Sequence, residues 1–158
     1  MTAAAEATAA PTLPPRSGFV LGALIVAVVV TIAYWVIWFF VDRSILASAN
    51  TESYYTFENA FPVADGWMAV SALLGALALR KRRASVLLWC LCAGSASLYL
   101  AGMDILFDLE NGIYKAPTGD WGGVVVEAII NAATLFVGAY VVHWAWKNRR
   151  ALSSLEGF

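Results

Sequence analysis

The sequence predicts an all-α integral membrane protein, an antiparallel four-helix transmembrane bundle with both termini inside (N-in/C-in). Three observations carry that expectation. The 158 residues are 61% hydrophobic and only 13% charged, whereas soluble domains carry roughly 25% charge. The mean hydropathy of +0.71 implies more apolar surface than a 17.0 kDa soluble fold has interior to hide. Four apolar stretches are each long enough to cross a bilayer, and the bases that separate them fall mostly on one side. Disorder, nucleic-acid binding and a disulfide-stapled scaffold fit poorly, the last because there are only 2 cysteines.

Residues 1–17 are rich in Ala, Thr and Pro and read as a loose cytoplasmic leader. That bias also fits a GC-rich bacterial source. The first span, 19–41, carries no charge. It is longer than the roughly 7 to 15 apolar residues of a signal peptide. It therefore reads as an uncleaved anchor, although Ala47-Ser48-Ala49 imitates a cleavage site. The second span, 61–79, has Asp65 near its start. The turn Arg80-Lys81-Arg82-Arg83 is so short that the third span, 84–106, must run antiparallel beside the second. The fourth, 121–146, is interrupted by Glu127 and Asn131 and ends at Lys147, Arg149 and Arg150. The membrane domain thus covers 18–150, with external loops at 42–60 and 109–120 and a cytoplasmic tail at 151–158. Barrel strands are excluded because the runs are long and do not alternate. Helices are the other structure that satisfies its backbone within lipid.

Orientation follows from the bases. Arg16, the four at 80–83, Lys147, Arg149 and Arg150 share one side; only Arg43 and Lys115 fall on the other. The positive-inside rule places the first group in the cytoplasm of a plasma (inner) membrane protein. The acids are distributed oppositely. Asp42, Glu52, Glu58, Asp65, Asp104, Asp108, Glu110, Asp120 and Glu127 lie at or just below the external face. A net charge of −1 hides this separation. The acidic mouth should attract cations.

Residues three, four and seven apart share a helix face. On the third span, Cys90, Ala93, Ser97, Ala101, Asp104, Asp108 and Asn111 form a small or polar stripe. Glu127, Asn131, Thr134 and Gly138 do so on the fourth, and Asp65, Ala69, Ala72 and Ala76 on the second, with Ser71 and Gly75 beside them. The first span offers Thr31, Trp35, Trp38 and Asp42 instead. Small stripes permit close helix approach and polar groups bond across them. Turned inward, these stripes assemble a ligand-binding layer of Asp65, Asp104, Asp108, Glu127 and Asn131 near Trp35 and Trp38. Glu127 lies roughly 9 Å below Trp121 by helical rise. Acids at such depth face protein or water and often mark function.

Three functions compete for that layer. It could bind or carry a small lipophilic or cationic ligand. It could perform intramembrane acid/base chemistry on a lipid or isoprenoid, with Glu127 and Asp104 as catalytic candidates. It could only lock helices together in an accessory subunit. Asp104, Asp108 and Glu127 are also the candidate metal ligands, since hard cations take oxygen donors. No cofactor motif occurs. Cys90 and Cys92 point to nearly opposite helix faces and read as packing residues. His143, the 1 histidine, lies far from the acids and reads as an interfacial residue. The expected partners are membrane lipids and the small ligand, with no nucleic acid. The small-residue faces would also serve a homodimer or a larger membrane complex.

Two likenesses complete the reading. Glu58-Asn59 leading to Asp65-Gly66-Trp67, and Glu110-Asn111 leading to Gly119-Asp120-Trp121, share an order that a doubled hairpin would leave. Any helix start at an interface would also carry such residues. The layout of four short helices with acids near one end of a cavity is similar to that of sterol-isomerase and emopamil-binding membrane proteins. No motif is shared, and no residue role is carried over.

Overall fold

The structure is a computed structural model that describes residues 12–116, 119 and 121–156. It is all-helical, with no strand among the described residues. Four helices are long and apolar enough to cross a membrane.

The first, α1 (Ser17–Ile37), is apolar all round. Val26, Val29 and Ile32 stand outward, as expected of a helix whose solvent is lipid. It begins without a side-chain cap; the Ser17 hydroxyl instead donates to the Pro14 carbonyl at 2.6 Å. A π-helical turn, Trp38–Asp42, continues it and carries Trp38 into the interior. Asp42 then caps a 3-10 turn, Arg43–Ile45, its carboxylate accepting from the Ser44 backbone at 2.9 Å.

The expected external loop at 42–60 holds a further helix, α2 (Glu52–Glu58). The Thr51 hydroxyl caps it by accepting from the Tyr54 N–H at 3.2 Å. Pro62 opens α3 (Pro62–Arg80), with Asp65 in its first turn and Arg80 in its last. Both charges suit the helix dipole. A tight turn with Arg82 at φ 52 leads to α4 (Val86–Glu110). The helix therefore reaches four residues past the expected span end at 106. A 3-10 turn, Ile113–Lys115, precedes α5 (Trp121–Lys147), and α6 (Arg149–Ser153) closes the described chain.

The long helices pack in chain order: α1 on α3, α3 on α4 and α4 on α5. No comparable packing joins α1 to α5. At the end holding the basic turn, Val20, Leu24, Ala76, Leu79, Val86, Cys90, Val141, Trp144 and Leu152 form one buried core. The inward stripes of small residues fill it: Ala72, Ala93 and Ala101 are buried, as are Ser71 and Gly75. The closest approach is Gly94 on α4 against Gly138 on α5. A Cβ on Gly94 would come within 2.9 Å of the Gly138 carbonyl oxygen, and one on Gly138 within 3.0 Å of the Gly94 oxygen.

Both described chain ends meet at this basic end. The Trp144 indole N–H donates to the Pro15 carbonyl at 2.8 Å, and Leu13 packs on the core. Arg83 forms a backbone bridge with Glu156, and Leu152 and Leu155 are buried. The last residues of the expected loose leader are thus held in place, because a buried indole needs an acceptor. Residues 1–11 of that leader lie outside the described residues.

The two loops with a shared residue order do not fold alike. Among the described residues, one contains α2 and the other a 3-10 turn. The Asn59 side chain accepts from the Trp38 indole at 3.0 Å, whereas the Asn111 amide donates to its own helix at Phe107. Pro117 and Asp120 lie outside the described residues.

Candidate functional site

At the opposite end the helices part around a cavity of about 440 Å³. Four carboxylates line it: Glu58, Asp65, Asp104 and Glu127. They come from α2, α3, α4 and α5. Tyr34 and Thr31 of α1, Ser48 and Tyr54 add hydroxyls. Val30, Phe61, Met68, Leu100, Val126 and Ile130 supply apolar wall. No Lys, Arg or His is among these lining residues.

Each acid reaches the cavity for a local reason. Asp65 sits one turn into α3, where the Trp35 indole donates to it at 3.0 Å. Trp35 thereby stands beside the cavity and steers its acid. Tyr34, the neighbour of Trp35 in α1, donates its hydroxyl to Glu58 at 2.8 Å. Asp104 follows Leu100 one turn later on the inward face of α4, and accepts no hydrogen bond among the described residues. It lies within electrostatic reach of Glu58, Glu127, Asp65 and Asp108. Glu127 accepts from the Ser48 hydroxyl across the cavity's edge. That bond ties the segment after α1 to α5.

Asp108 and Asn131 belong behind this layer. Both are buried, and the Asn131 amide donates to Asp108 at 2.9 Å. The same nitrogen lies 3.0 Å from the Tyr114 hydroxyl and 3.3 Å from Glu127. An amide has two N–H groups, so three acceptors surround a donor that can serve two of them well. The network joins α4, the following 3-10 turn and α5. Tyr114 lies outside the spans; burial, and after it the Asp108 carboxylate, push its phenol above the ordinary range against the Asn131 hydrogen bond.

The sequence-derived layer thus divides. Asp65, Asp104 and Glu127 share the cavity, whereas Asp108, Asn131, Trp35 and Trp38 do not line it. Trp38 is buried against Tyr34, Trp35 and Tyr55, its indole occupied by Asn59. Among the described residues no group of three His, Cys, Asp or Glu is placed to hold a metal ion. The candidate set Asp104, Asp108 and Glu127 is not assembled, because the Asn131 amide engages Asp108 behind the cavity.

Glu58, Tyr34, Ser48 and Tyr54 are lining residues that the sequence reading left in a loop or passed over. Their signal was local. Thr51 followed by Glu52 is a helix start. Tyr54, Glu58 and Phe61 then recur at the spacing of one helix face. Aromatic packing fixes that helix: Phe57 stacks on Phe107 of α4 at 3.9 Å between centroids, and Tyr54 meets the same ring edge-on.

No known protein family, no curated protein sequence and no solved structure matches the chain. The functional reading therefore rests on the site's own chemistry.

Proposed function

We propose that this chain is a four-span plasma-membrane protein that binds a small lipophilic cation in the acidic cavity. The observation that carries the reading is four carboxylates lining one cavity with no Lys, Arg or His among the lining residues. Ionised carboxylates taken out of water need a partner. Several of them in one chamber repel one another, so a guest cation relieves both costs at once. The volume of about 440 Å³ falls within the range of small-molecule sites. The mixed lining favours a guest with an apolar body and one charged group.

The orientation belongs to the same reading. Eight of the ten bases lie at the end away from the cavity, which by the positive-inside rule is the cytoplasmic end. Both termini are then cytoplasmic, and the cavity lies in the outer leaflet half of the bundle.

Thermal unfolding of the purified protein with hexylamine, hexanol and hexanoate tests the charge preference. The amine should stabilise, by about 2.7 kcal/mol at one hundred times its Kd. The alcohol should act weakly and hexanoate not at all. Asp104→Asn and Glu127→Gln should each weaken the amine effect. Equal stabilisation by all three compounds would contradict an acidic site. Conversion of an added lipid, dependent on Asp104 and Glu127, would replace binding with the acid/base enzyme reading.

A further inference from the structure

The cavity is walled unequally. Phe61, just before α3, Asp65 and Met68 on α3, and Leu100 and Asp104 on α4 close its back, and residues 44–48 with α2 border its outer rim. Its two sides are α1, through Val30, Thr31 and Tyr34, and α5, through Val126, Glu127 and Ile130. These two helices meet edge-on through Phe19 and Tyr140 toward the basic end, but pack together far less than α1 does on α3. The side between them is therefore a loosely packed seam.

The seam opens at one end only. Toward the basic end, Leu24 and Ala27 of α1 and Gly138 and Val141 of α5 enclose a void of only about 20 Å³. In the acidic half its lips are apolar and exposed: Val30 by 59%, Val126 by 57% and Ile130 by 52%. In a chain crossing a bilayer, exposed apolar lips at mid-helix border acyl chains. Glu127 stands one residue from Val126 on the same wall, so a carboxylate lies immediately behind a hydrocarbon opening.

We infer that the ligand is a single-chain amphiphilic cation, its ammonium head among the carboxylates and its alkyl tail leaving between α1 and α5 into the lipid. This rests on the cation-binding reading above and adds the ligand class and its route. A tail folded into a chamber lined by carboxylates and hydroxyls would leave hydrocarbon against polar groups. A tail lying in the seam stays in hydrocarbon along its length while the head keeps its charge partners. The Ser48 to Glu127 hydrogen bond ties the segment after α1 to α5 beside the seam.

The test uses the full chain in lipid nanodiscs and dodecylamine carrying a diazirine a few carbons from the amine. Illumination and mass spectrometry should place adducts on α1 around Val30 and on α5 around Val126 and Ile130. Unmodified dodecylamine should compete them away, and the pair Asp104→Asn with Glu127→Gln should abolish them. Ile130→Trp narrows the lip from a lipid-exposed position. It should lower dodecylamine labelling about ten-fold, and Val126→Trp should do the same. An unchanged melting temperature without ligand shows that either variant has folded. Adducts confined to Met68 and Leu100 would overturn the inference, since the tail would then be enclosed. So would ethylamine stabilising as strongly as dodecylamine, which would leave a cation site with no tail route. If neither amine stabilises the protein, the underlying cation reading fails with it.

Discussion

Replacing Gly138 by alanine tests the packing that holds the cavity's α5 wall. A Cβ there would lie 2.9 Å from the Ser97 Cβ, 3.0 Å from the Gly94 carbonyl oxygen and 3.2 Å from the Leu98 nitrogen. Comfortable contact between such atoms is about 3.5–4.0 Å. Two of the three neighbours are backbone atoms, so no rotamer change relieves the clash and the helices must separate. Overpacking of this kind costs about 1–3 kcal/mol. Alanine's helix propensity returns up to about 1 kcal/mol of that. Gly102→Ala, on α4, provides the control. It meets nothing within 4 Å, so only the propensity gain of up to about 1 kcal/mol remains. Thermal or denaturant unfolding in one detergent should therefore place Gly138→Ala below wild type and Gly102→Ala at or above it. The separation between the two should be about 1–3 kcal/mol. Equal stability of the two variants would refute the close α4–α5 crossing.

Other substitutions probe other joints. Asn131→Leu keeps the volume but removes the donor shared by Asp108, Tyr114 and Glu127. It should cost about 0.6–1.7 kcal/mol, the range of hydrogen bonds between membrane helices, measured by the same unfolding assay. Trp144→Phe removes the bond to the Pro15 carbonyl; faster tryptic cleavage after Arg16 in the native protein should report release of the segment. Ser71 is buried, and its hydroxyl has no partner among the described residues. Ser71→Ala should therefore be neutral or stabilising by about 1 kcal/mol, and a loss would reveal a bonded hydroxyl. The Tyr114 phenol sits above its ordinary range. Stability should therefore fall as the pH rises through about 10, where the unfolded phenol ionises first. That loss should shrink in Tyr114→Phe.

The spans were legible because each is a long apolar run, and the second, third and fourth carry a small or polar stripe at helical spacing. Periodicity turned Asp65, Asp104 and Glu127 inward before any neighbour was known. The expected third span ends at 106, yet its polar stripe already carries the helix through Asp108, where Phe107 and Asp108 pack against α2 and Asn131. Glu58 was hidden. Its helix is 7 residues long, too short to show periodicity and marginal by itself. It is fixed by Phe107, almost fifty residues away. The same non-local choice gives Trp35 to Asp65 and Trp38 to Asn59, where sequence could only call both aromatic. The open seam has no local signal at all. It arises because α1 chooses α3 over α5, a pairing that no single helix encodes.

The convergence of four acids in one cation-binding chamber is tested most directly by a lipophilic carbodiimide, with adducts mapped by mass spectrometry. The account predicts modification of Glu58, Asp65, Asp104 and Glu127, little of Asp108 behind its Asn131 amide, and protection of all four by one amphiphilic amine over one concentration range. Modification that the amine leaves untouched, or protection that differs from one acid to the next, would contradict a shared chamber.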